Sequence, residues 1–511
     1  MYKRFFVFRI LLTALLVSFF LITTNNLLIT FSLVSAQNVS LVTKKNDLDS
    51  RIERVVNGLL PPNIIKGQPL PRMILAERMK YGNGVPGVSI AVINDYKIDW
   101  MRGFGVREEG SKEPVKPETL FQAGSISKSV TAMAVLQLVQ QGKLNLDEDV
   151  NKKLVSWKVP ENEFTKNEKV TVRRLLSHTA GLNPTASGDY PVGTEVPTLL
   201  QVLQGLKPAN TQPVQVINVP GSKTFYSGSN YFVLQQLLID VTGRQFPGLM
   251  EELVLRPLGM KNSTFEQPLP QILQINAAAG KQGGKAVEGK WHIKPEMAAA
   301  GLWTTSADLA KFAIEIQKSM RGRSNKVLSK EMTNLMLTAQ QESNSSKEGP
   351  PSDPMGLGFE LKKEGLILRF GHGGYTTGYR CSMVAFSDGK GLVVMSNGTS
   401  QSLLREINLS VAKEYGWSAG NLPRERTVVN FAPNILETYA GQYENPPGRN
   451  PPISNVTVKN NHHYVGLLIP NRSVENTGQF LVLALLAAKK KPMLRPSVKA
   501  IAEMARRGIF S

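Results

Sequence analysis

The sequence predicts an α+β fold in which helices flank one antiparallel sheet and a helical part lies between its strands. Three segments support this prediction. Residues 87–106 resemble a hairpin that turns at Asn94 and Asp95, and residues 366–397 again resemble strands. Residues 125–141 are apolar nearly all round, which indicates a buried helix. Because strands come first and last, we expect the two ends of this region to pair in one sheet.

The composition indicates a large globular protein. The chain has 511 residues, of which 41% are hydrophobic and 20% charged, so wholesale disorder and fibrous repeats are excluded. The formal net charge is +20, but no nucleic-acid-binding signature accompanies it, and we predict no nucleic-acid partner. The basic surface favours at most a weak association with an anionic envelope or membrane surface. Cys381, the only cysteine, excludes an internal disulfide and is interpreted as a buried small hydrophobe.

Residues 1–36 predict export. A positively charged start precedes apolar runs at 10–22 and 27–36, and the small residues VSA at 34–36 suit a signal peptidase. An uncleaved membrane anchor is the alternative, because the whole stretch is long enough to span a bilayer. With either interpretation we expect the body of the protein to lie outside the cytoplasm. It is periplasmic or secreted if the segment is cleaved, and anchored in the membrane if it is not.

The remainder of the chain divides into three parts. Residues 49–420 have an even composition and predict one domain, residues 421–433 contain prolines and predict a linker, and residues 434–511 predict a small C-terminal domain with a basic tail. No internal repeat is present. The oligomeric state is not predicted by any of these features.

Ser125 and Lys128 are the sharpest candidates for chemistry. Residues three apart share one face of a helix, so the Lys128 amine can reach the Ser125 hydroxyl. The start of a helix also favours developing negative charge, and an amine held partly unprotonated can act as the base for nucleophilic attack. The spacing alone is weak evidence, because it recurs at Ser387, in a predicted turn, and at Ser410, in an amphipathic helix. An N-cap with an incidental lysine is the alternative interpretation of Ser125.

Other catalytic motifs are rejected. Residues 416–420 (GWSAG) match the nucleophile elbow of α/β-hydrolases, but a helical pattern precedes them where that elbow needs a strand. No histidine spacing of zinc hydrolases, no Walker loop and no dinucleotide fingerprint is present in the sequence. The sequence therefore implies no metal and no organic cofactor.

Six segments follow one another in an order that is typical of one family. They are FQAGSISKSVTAMAVLQLVQQGKLNLDEDV at 121–150, VRRLLSHTAGL at 172–182, the tyrosine segment at 220–246, PLGMKNSTF at 257–265, AGLWTTSADL at 300–309 and GHGG at 371–374. Together, over about residues 70–415, they resemble the β-lactamase-related serine hydrolases, which include class C β-lactamases, D-Ala-D-Ala carboxypeptidases, D-aminopeptidases and esterases. The resemblance implies the β-lactamase/penicillin-binding-protein-like fold, with an antiparallel sheet flanked by helices, a helical subdomain and an active site between them.

The resemblance also implies roles for individual residues. Ser125 is implied as the acylated nucleophile, and Lys128 and Tyr226 as the groups that share general-base and general-acid duties. A phenol and an amine both titrate near pH 10, so one pKa must be shifted or the proton shared. The backbone N–H groups of Ser125 and Tyr375 are implied as the oxyanion hole, and the substrate is a small molecule or a peptide.

Two departures from the family pattern concern the substrate. His372 and Gly374 are implied as substrate-binding residues, but His372 stands where the K-T-G variant has a lysine. A histidine holds a carboxylate weakly or acts as an uncharged donor, which favours a D-amino-acid peptide of cell-wall type or a small ester. The alternatives are a class C-like β-lactamase and a non-catalytic relative that binds wall peptides or a partner. Gly228 replaces the asparagine of the family's Tyr-x-Asn, so that contact is missing unless Ser229 or Asn230 supplies it.

Further residues are predicted to be structural. His178 is interpreted as a satisfied histidine in a turn, Asp147 as the cap of a turn after the nucleophile helix, and Trp303 as core or a pocket wall. Residues 436–444 resemble the opening of a lipocalin-like barrel, but about 75 residues remain there, which is tight for eight strands. Either the barrel is incomplete or the chain has an altered ending.

Overall fold

The computed structural model describes residues 47–417 apart from 83, 186–187 and 341–352, as well as residues 422–426 and five strands between 441 and 490. The predicted export segment, most of the predicted linker and the basic tail beyond residue 490 lie outside the described residues. Two compact units are formed, one by Met1–Ile64 with Pro69–Arg424 and one by Ile65–Gln68 with Glu425–Ser511.

Strands and helices alternate in groups along residues 47–426. The strands are β1 (Asn63–Ile65), β2 (Gly87–Asn94), β3 (Lys97–Gly105), β4 (Phe121–Gln122), β5 (Tyr190–Pro191), β6 (Lys281–Gln282), β7 (Lys285–Ala286), β8 (His292–Ile293), β9 (Trp303–Thr304), β10 (Glu360–Glu364), β11 (Ile367–Thr376), β12 (Tyr379–Phe386), β13 (Gly391–Ser396) and β14 (Arg424–Arg426). The helices are α1 (47–56), α2 (Leu75–Lys80), α3 (Ile126–Gln140), α4 (Val172–Leu176), α5 (Leu199–Gln204), α6 (Ser229–Thr242), α7 (Phe246–Met250), α8 (Gln271–Gln274), α9 (Met297–Ala300), α10 (Ser306–Ser319), α11 (Lys330–Met336) and α12 (Gln401–Glu414). Two 3₁₀ turns (Val150–Lys152 and Glu163–Thr165) and a π-helical turn (Glu251–Leu255) complete them.

The main sheet has six antiparallel strands in the order β10-β11-β12-β13-β2-β3. β13 pairs with β2, with Gly391 opposite Ile93, so the predicted pairing of the two ends is confirmed. The predicted β2–β3 hairpin is also confirmed, but its turn is one residue later than predicted. Asp95 and Tyr96 form it with φ angles of 50° and 59°, the backbone of a turn whose twist matches the strands.

The sheet is a middle layer with a hydrophobic core on each face. Side chains of β2 alternate: Val88, Ile90 and Val92 pack with α1, α2 and α12, whereas Ala91 and Ile93 pack with α3 and α10. Because successive residues of a strand point to opposite faces, a strand buried on both faces is apolar throughout. This arrangement explains why β2 lacks the polar alternation of a strand that has one face in water.

The predicted buried helix is α3, and it positions the site. Ser125 immediately precedes it, and Gly142 follows with φ of 73°, so its predicted limits are confirmed. Apolar residues surround the helix on all sides because it packs on the sheet and on the inserted helices α6 and α9. The N-terminus of α3 therefore lies between the sheet and the helical part.

Of three residues that were predicted to be structural, two have the predicted role and one does not. Cys381 is buried in β12, and Trp303 is fully buried in β9 against the edge of Trp291, so both belong to the core. The prediction for Asp147 is wrong. Arg173 binds its carboxylate with two hydrogen bonds of 2.7 and 2.8 Å, and Asp149 caps the following 3₁₀ turn instead.

The smaller unit contains β15 (Gly441–Glu444), β16 (Ile453–Lys459), β17 (His462–Ile469), β18 (Arg472–Asn476) and β19 (Lys489–Lys490). They form one antiparallel sheet in the order β18-β17-β16-β15-β19, which agrees with the predicted β-rich character. The lipocalin-like barrel stays a prediction. In the described part of the chain, no helix has both the length and the apolar character needed to cross a membrane.

Candidate active site

Ser125 and Lys128 meet at the start of α3. The Lys128 Nζ donates a hydrogen bond to Ser125 Oγ at 2.9 Å and another to the carbonyl oxygen of Ala299 at 2.9 Å. Lys128 is only 3% exposed, and this burial lowers the pKa of its amine to about 7. Removal from water disfavours the charged form, so a large fraction of the amine is neutral at neutral pH.

Tyr226 approaches the same serine from the segment before α6. Its hydroxyl is hydrogen-bonded with that of Ser125, and the Lys128 Nζ lies 5.2 Å from the centre of its ring. The residue is 47% exposed, yet desolvation raises the pKa of its phenol to about 12, and the hydrogen bond with Ser125 opposes this rise. These observations fit together if the ring faces water and the hydroxyl is turned into the site.

The structure therefore shows how the pKa values of Lys128 and Tyr226 differ. The pKa of Lys128 is lowered, that of Tyr226 is raised, and both shifts have burial as their main cause. At neutral pH the phenol keeps its proton while the amine can accept one. Two groups whose environments separate their pKa values have separate acid and base roles available to them.

Strand β11 lies directly against the residues that precede Ser125. A Cβ atom on Gly374 would lie 2.1 Å from the carbonyl oxygen of Ala123, and one on Gly124 would lie 2.8 Å from the backbone nitrogen of Tyr375. Gly124 also has φ of 52°, a left-handed backbone that glycine adopts without strain. Only glycine at both positions allows the two backbones to approach so closely.

The backbone N–H of Tyr375 points toward Gly124, on the side of β11 that packs against the residues before Ser125. Thr376 and Tyr379 flank the two-residue turn between β11 and β12, so they form a hydrogen-bonded pair. The next pair along the ladder, Tyr375 with Arg380, is then the one without hydrogen bonds between its members. The N–H of Tyr375 therefore points away from β12, toward the side on which Gly124 packs. This orientation is the one an oxyanion hole with the N–H of Ser125 needs.

His372 lies in β11 with its side chain buried. Its Nδ1 is 2.6 Å from the carbonyl oxygen of Gly373, which assigns the proton to Nδ1 and leaves Nε2 as an acceptor. This Nε2 is buried and has no partner among the described residues. Burial, reinforced by the charge of Lys128, lowers the pKa of His372 to about 4, so the ring is uncharged at neutral pH.

The missing asparagine of Tyr-x-Asn is not replaced by a neighbour. The Ser229 hydroxyl is buried and donates to the carbonyl oxygen of Asn183 at 3.1 Å, and Asn230 Nδ2 lies 2.9 Å from Nδ1 of His178. Backbone packing also excludes a side chain at Gly228, since a Cβ there would lie 2.3 Å from the carbonyl oxygen of Thr185. The site is therefore built without that amide.

One group of the site is a backbone carbonyl that sequence analysis did not identify. The carbonyl oxygen of Ala299 in α9 holds the Lys128 amine, and a backbone group cannot be identified from residue type. Its neighbourhood was indicated only by the motif at 300–309. In the described residues, no group of three or more histidine, cysteine, aspartate or glutamate side chains is arranged to hold a metal ion.

The fold and the site together define a class of protein. A buried helix that begins with a serine, and that lies between an antiparallel sheet and a helical part, is the architecture of the β-lactamase/penicillin-binding-protein-like proteins. Residues 72–413 match the family model described as Beta-lactamase. This match covers more than half of the chain, and the chain belongs to the Beta-lactamase family.

Individual relatives are distant. Protein flp of Staphylococcus aureus (strain MW2) is 28% identical over 183 residues, which are 36% of this chain and 35% of that protein. A beta-lactamase of Pseudomonas fluorescens is 28% identical over 231 residues, 45% of this chain and 59% of that protein. The chain thus matches less than two thirds of the length of either relative.

A solved structure supports the fold. The octameric penicillin-binding protein homologue from Pyrococcus abyssi superposes with a TM-score of 0.57 at 24% identity, over 78% of this chain and 88% of that one. At this identity the likeness concerns the fold. The predicted β-lactamase/penicillin-binding-protein-like fold is confirmed by this likeness and by the family match.

Proposed function

We propose that the protein is a serine hydrolase that forms an acyl-enzyme at Ser125. The observation that carries the proposal is the 2.9 Å contact between Lys128 Nζ and Ser125 Oγ, made by an amine whose burial lowers its pKa to about 7. A general base works best when its pKa lies near the operating pH. The protein thus holds a neutral amine beside the hydroxyl that it would deprotonate.

The reaction follows from the positions of these groups. Ser125 Oγ attacks the substrate carbonyl while Lys128 accepts the hydroxyl proton, and the N–H groups of Ser125 and Tyr375 hold the oxyanion of the tetrahedral intermediate. Tyr226, which keeps its proton at neutral pH, donates to the leaving amine or alcohol as the bond to the carbonyl carbon breaks. Water then attacks the acyl-enzyme and regenerates Ser125.

For the substrate we propose a D-amino-acid peptide of cell-wall type or a small ester. The uncharged state of His372 favours, within this choice, a substrate without a free carboxylate at this position, such as a small ester, because a neutral imidazole offers no fixed cation to bind one. We also propose that the protein acts outside the cytoplasm, as the sequence of residues 1–36 indicates.

The test compares the wild type with Ser125→Ala on an activated nitrophenyl ester. Loss of the nucleophile is expected to reduce kcat at least about a thousandfold. Ser410→Ala is the matched control, because Ser410 and Lys413 repeat the serine–lysine spacing on α12, where the Ser410 hydroxyl donates to the carbonyl oxygen of Glu406 at 2.7 Å. Equal rates for the wild type and Ser125→Ala would refute the assignment and would favour a relative that only binds its ligand.

Hydrolysis of β-lactam rings is the second candidate. Membership of the Beta-lactamase family and the likeness to the Pseudomonas fluorescens protein favour it. Intact-mass spectrometry after incubation with benzylpenicillin separates the candidates. A persistent adduct on Ser125 supports a penicillin-binding peptidase, whereas rapid turnover of penicillin and of a chromogenic cephalosporin supports a β-lactamase.

A further inference from the structure

His178 occupies a backbone position that usually belongs to glycine. It follows the C-terminus of α4 with φ of 58°, and the N–H groups of His178 and Thr179 bond to the carbonyl oxygens of Leu175 and Arg174. This is a Schellman ending, in which the left-handed residue is most often glycine because a Cβ atom is disfavoured there. A histidine at this position indicates that its side chain has a role that a glycine could not fill.

The contacts of His178 converge on Tyr226. The carbonyl oxygen of His178 accepts from the N–H of Phe225 at 2.7 Å, and its Nδ1 accepts from the N–H of Ser227 at 3.3 Å. The residues before and after Tyr226 are therefore both bonded to the one histidine. The His178 ring also packs on the Tyr226 ring, with 4.3 Å between the ring centres and an angle of 33°.

The protonation state of His178 is determined by the same contacts. Nδ1 accepts hydrogen bonds from Ser227 and from Nδ2 of Asn230, at 2.9 Å, so the proton of the neutral ring is on Nε2. This Nε2 is buried and has no partner among the described residues, so the prediction of a satisfied histidine is wrong for this atom. The ring is 1% exposed, and burial lowers its pKa well below the usual value, with the neighbouring Lys128 adding to the effect. A ring that stays neutral keeps Nδ1 available as the acceptor.

We propose that His178 is the positioning residue of Tyr226 and holds its phenol against Ser125. This inference rests on the proposed function, in which Tyr226 acts on the proton of the leaving group. The hydroxyl of Tyr226 is at the end of a half-exposed side chain, so packing alone leaves the ring free on its solvent side. Two backbone contacts and one ring contact from a single buried residue restrict that freedom.

The test uses the full-length protein with two substitutions that suit a left-handed backbone. His178→Asn and His178→Gly both suit positive φ, but only asparagine keeps a side-chain oxygen that can accept from the N–H of Ser227. Each is made in the wild type and in Tyr226→Phe. The readouts are kcat and KM on the activated ester, the rate at which a fluorophosphonate labels Ser125, and the melting temperature. In the labelling step a bond forms between Ser125 Oγ and phosphorus, the serine proton passes to Lys128, and fluoride leaves with a hydrogen bond from the phenol of Tyr226.

We expect His178→Gly to lower kcat and the labelling rate about tenfold or more with little change in KM, since misplacement of a catalytic group by about 1 Å has costs of this order. His178→Asn should retain more activity than His178→Gly. In the Tyr226→Phe background either substitution should change kcat less than about twofold, because the group that His178 positions is already gone. Tyr231→Phe is the matched control, since its hydroxyl bonds to the carbonyl oxygen of Leu176 and not to Ser125.

The outcomes separate the two proposals. A wild type that the probe does not label at Ser125 overturns the proposed function and this inference with it. A labelled wild type with additive losses in the double variants overturns only the positioning role, because additivity means that His178 acts independently of Tyr226. Equal rates for the asparagine and glycine variants, or a loss confined to KM or melting temperature, would also refute it.

Discussion

Replacing Lys128 with methionine should make the protein more stable while abolishing its activity. A wild-type amine that titrates at about 7 instead of 10.5 must be deprotonated or desolvated when the chain folds at neutral pH. The shift of about 3.5 pKa units corresponds to a cost of about 4–5 kcal/mol. Methionine fills a similar volume without charge, but it leaves Ala299 without its donor, which costs about 1–3 kcal/mol. The expected net gain in the free energy of unfolding is about 1–4 kcal/mol at pH 7.

The stability difference between the wild type and Lys128→Met should also depend on pH. Between pH 7 and 10.5 the unfolded wild type carries a proton on Lys128 that the folded protein has released. Wild-type stability therefore rises with pH between pH 7 and 10.5. Below pH 7 the amine is protonated in both states, so the free-energy cost of burying Lys128 does not change with pH. The methionine variant lacks this titration. Its advantage over the wild type should be largest at pH 7 and below, and should decline as the pH approaches 10.

Denaturant unfolding followed by tryptophan fluorescence measures this difference. All five tryptophans lie between residues 100 and 417, so the signal reports on the larger unit. Lys294→Met is the matched control, because Lys294 is also buried but is paired with Asp189 and bonded to the carbonyl oxygen of Gly188 at 2.9 Å. That variant should lose about 1–3 kcal/mol. A Lys128→Met variant that is less stable than the wild type, by an amount independent of pH, would refute the reasoning.

Three further expectations follow from the site. The kcat/KM of ester hydrolysis should rise with pH through about 7, as Lys128 loses its proton, and a rate independent of pH between 5 and 9 would contradict its role as the base. Gly374→Ala places a Cβ 2.1 Å from the carbonyl oxygen of Ala123 and should reduce kcat about a hundredfold or more, because β11 is displaced. Gly373→Ala is the control and should retain activity, because its Cβ has no atom within 4 Å. Gly228→Asn should lower the melting temperature and should not increase turnover of a chromogenic cephalosporin, because its Cβ would collide with the carbonyl oxygen of Thr185.

The elements that could be predicted are those that local patterns specify. The burial of α3 followed from its apolar sequence, and the pairing of β13 with β2 followed from the order of strands and helices. The hairpin turn was misplaced by one residue because β2 is buried on both faces and has no polar alternation that would fix the position of the turn. Asp147 was misassigned because its partner, Arg173, is 26 residues away in sequence.

The candidate site, like the fold, could be predicted only in part. The residue types and order of Ser125, Lys128 and Tyr226 are present in the sequence, and so is the glycine-rich strand that accompanies them. Their protonation could not be predicted, because a pKa depends on how much water and charge surrounds a group in three dimensions. The structure lowers the pKa of Lys128 and raises that of Tyr226, and this difference is the basis on which we propose Lys128 as the base and Tyr226 as the acid.

The sequence by itself determined the family, the order of the strands and helices, and the side chains that meet at the start of α3. The order of the strands and helices depends on periodicity, and the family and the site residues depend on the ordered motifs between residues 121 and 374. All of these are properties of the chain alone. Only the tertiary structure decided that neither Ser229 nor Asn230 supplies the amide missing at Gly228. It also decided that the carbonyl oxygen of Ala299 holds Lys128, and that His178 contacts both neighbours of Tyr226. The physical reason is that each depends on the close approach of backbone segments distant in sequence, which packing alone establishes.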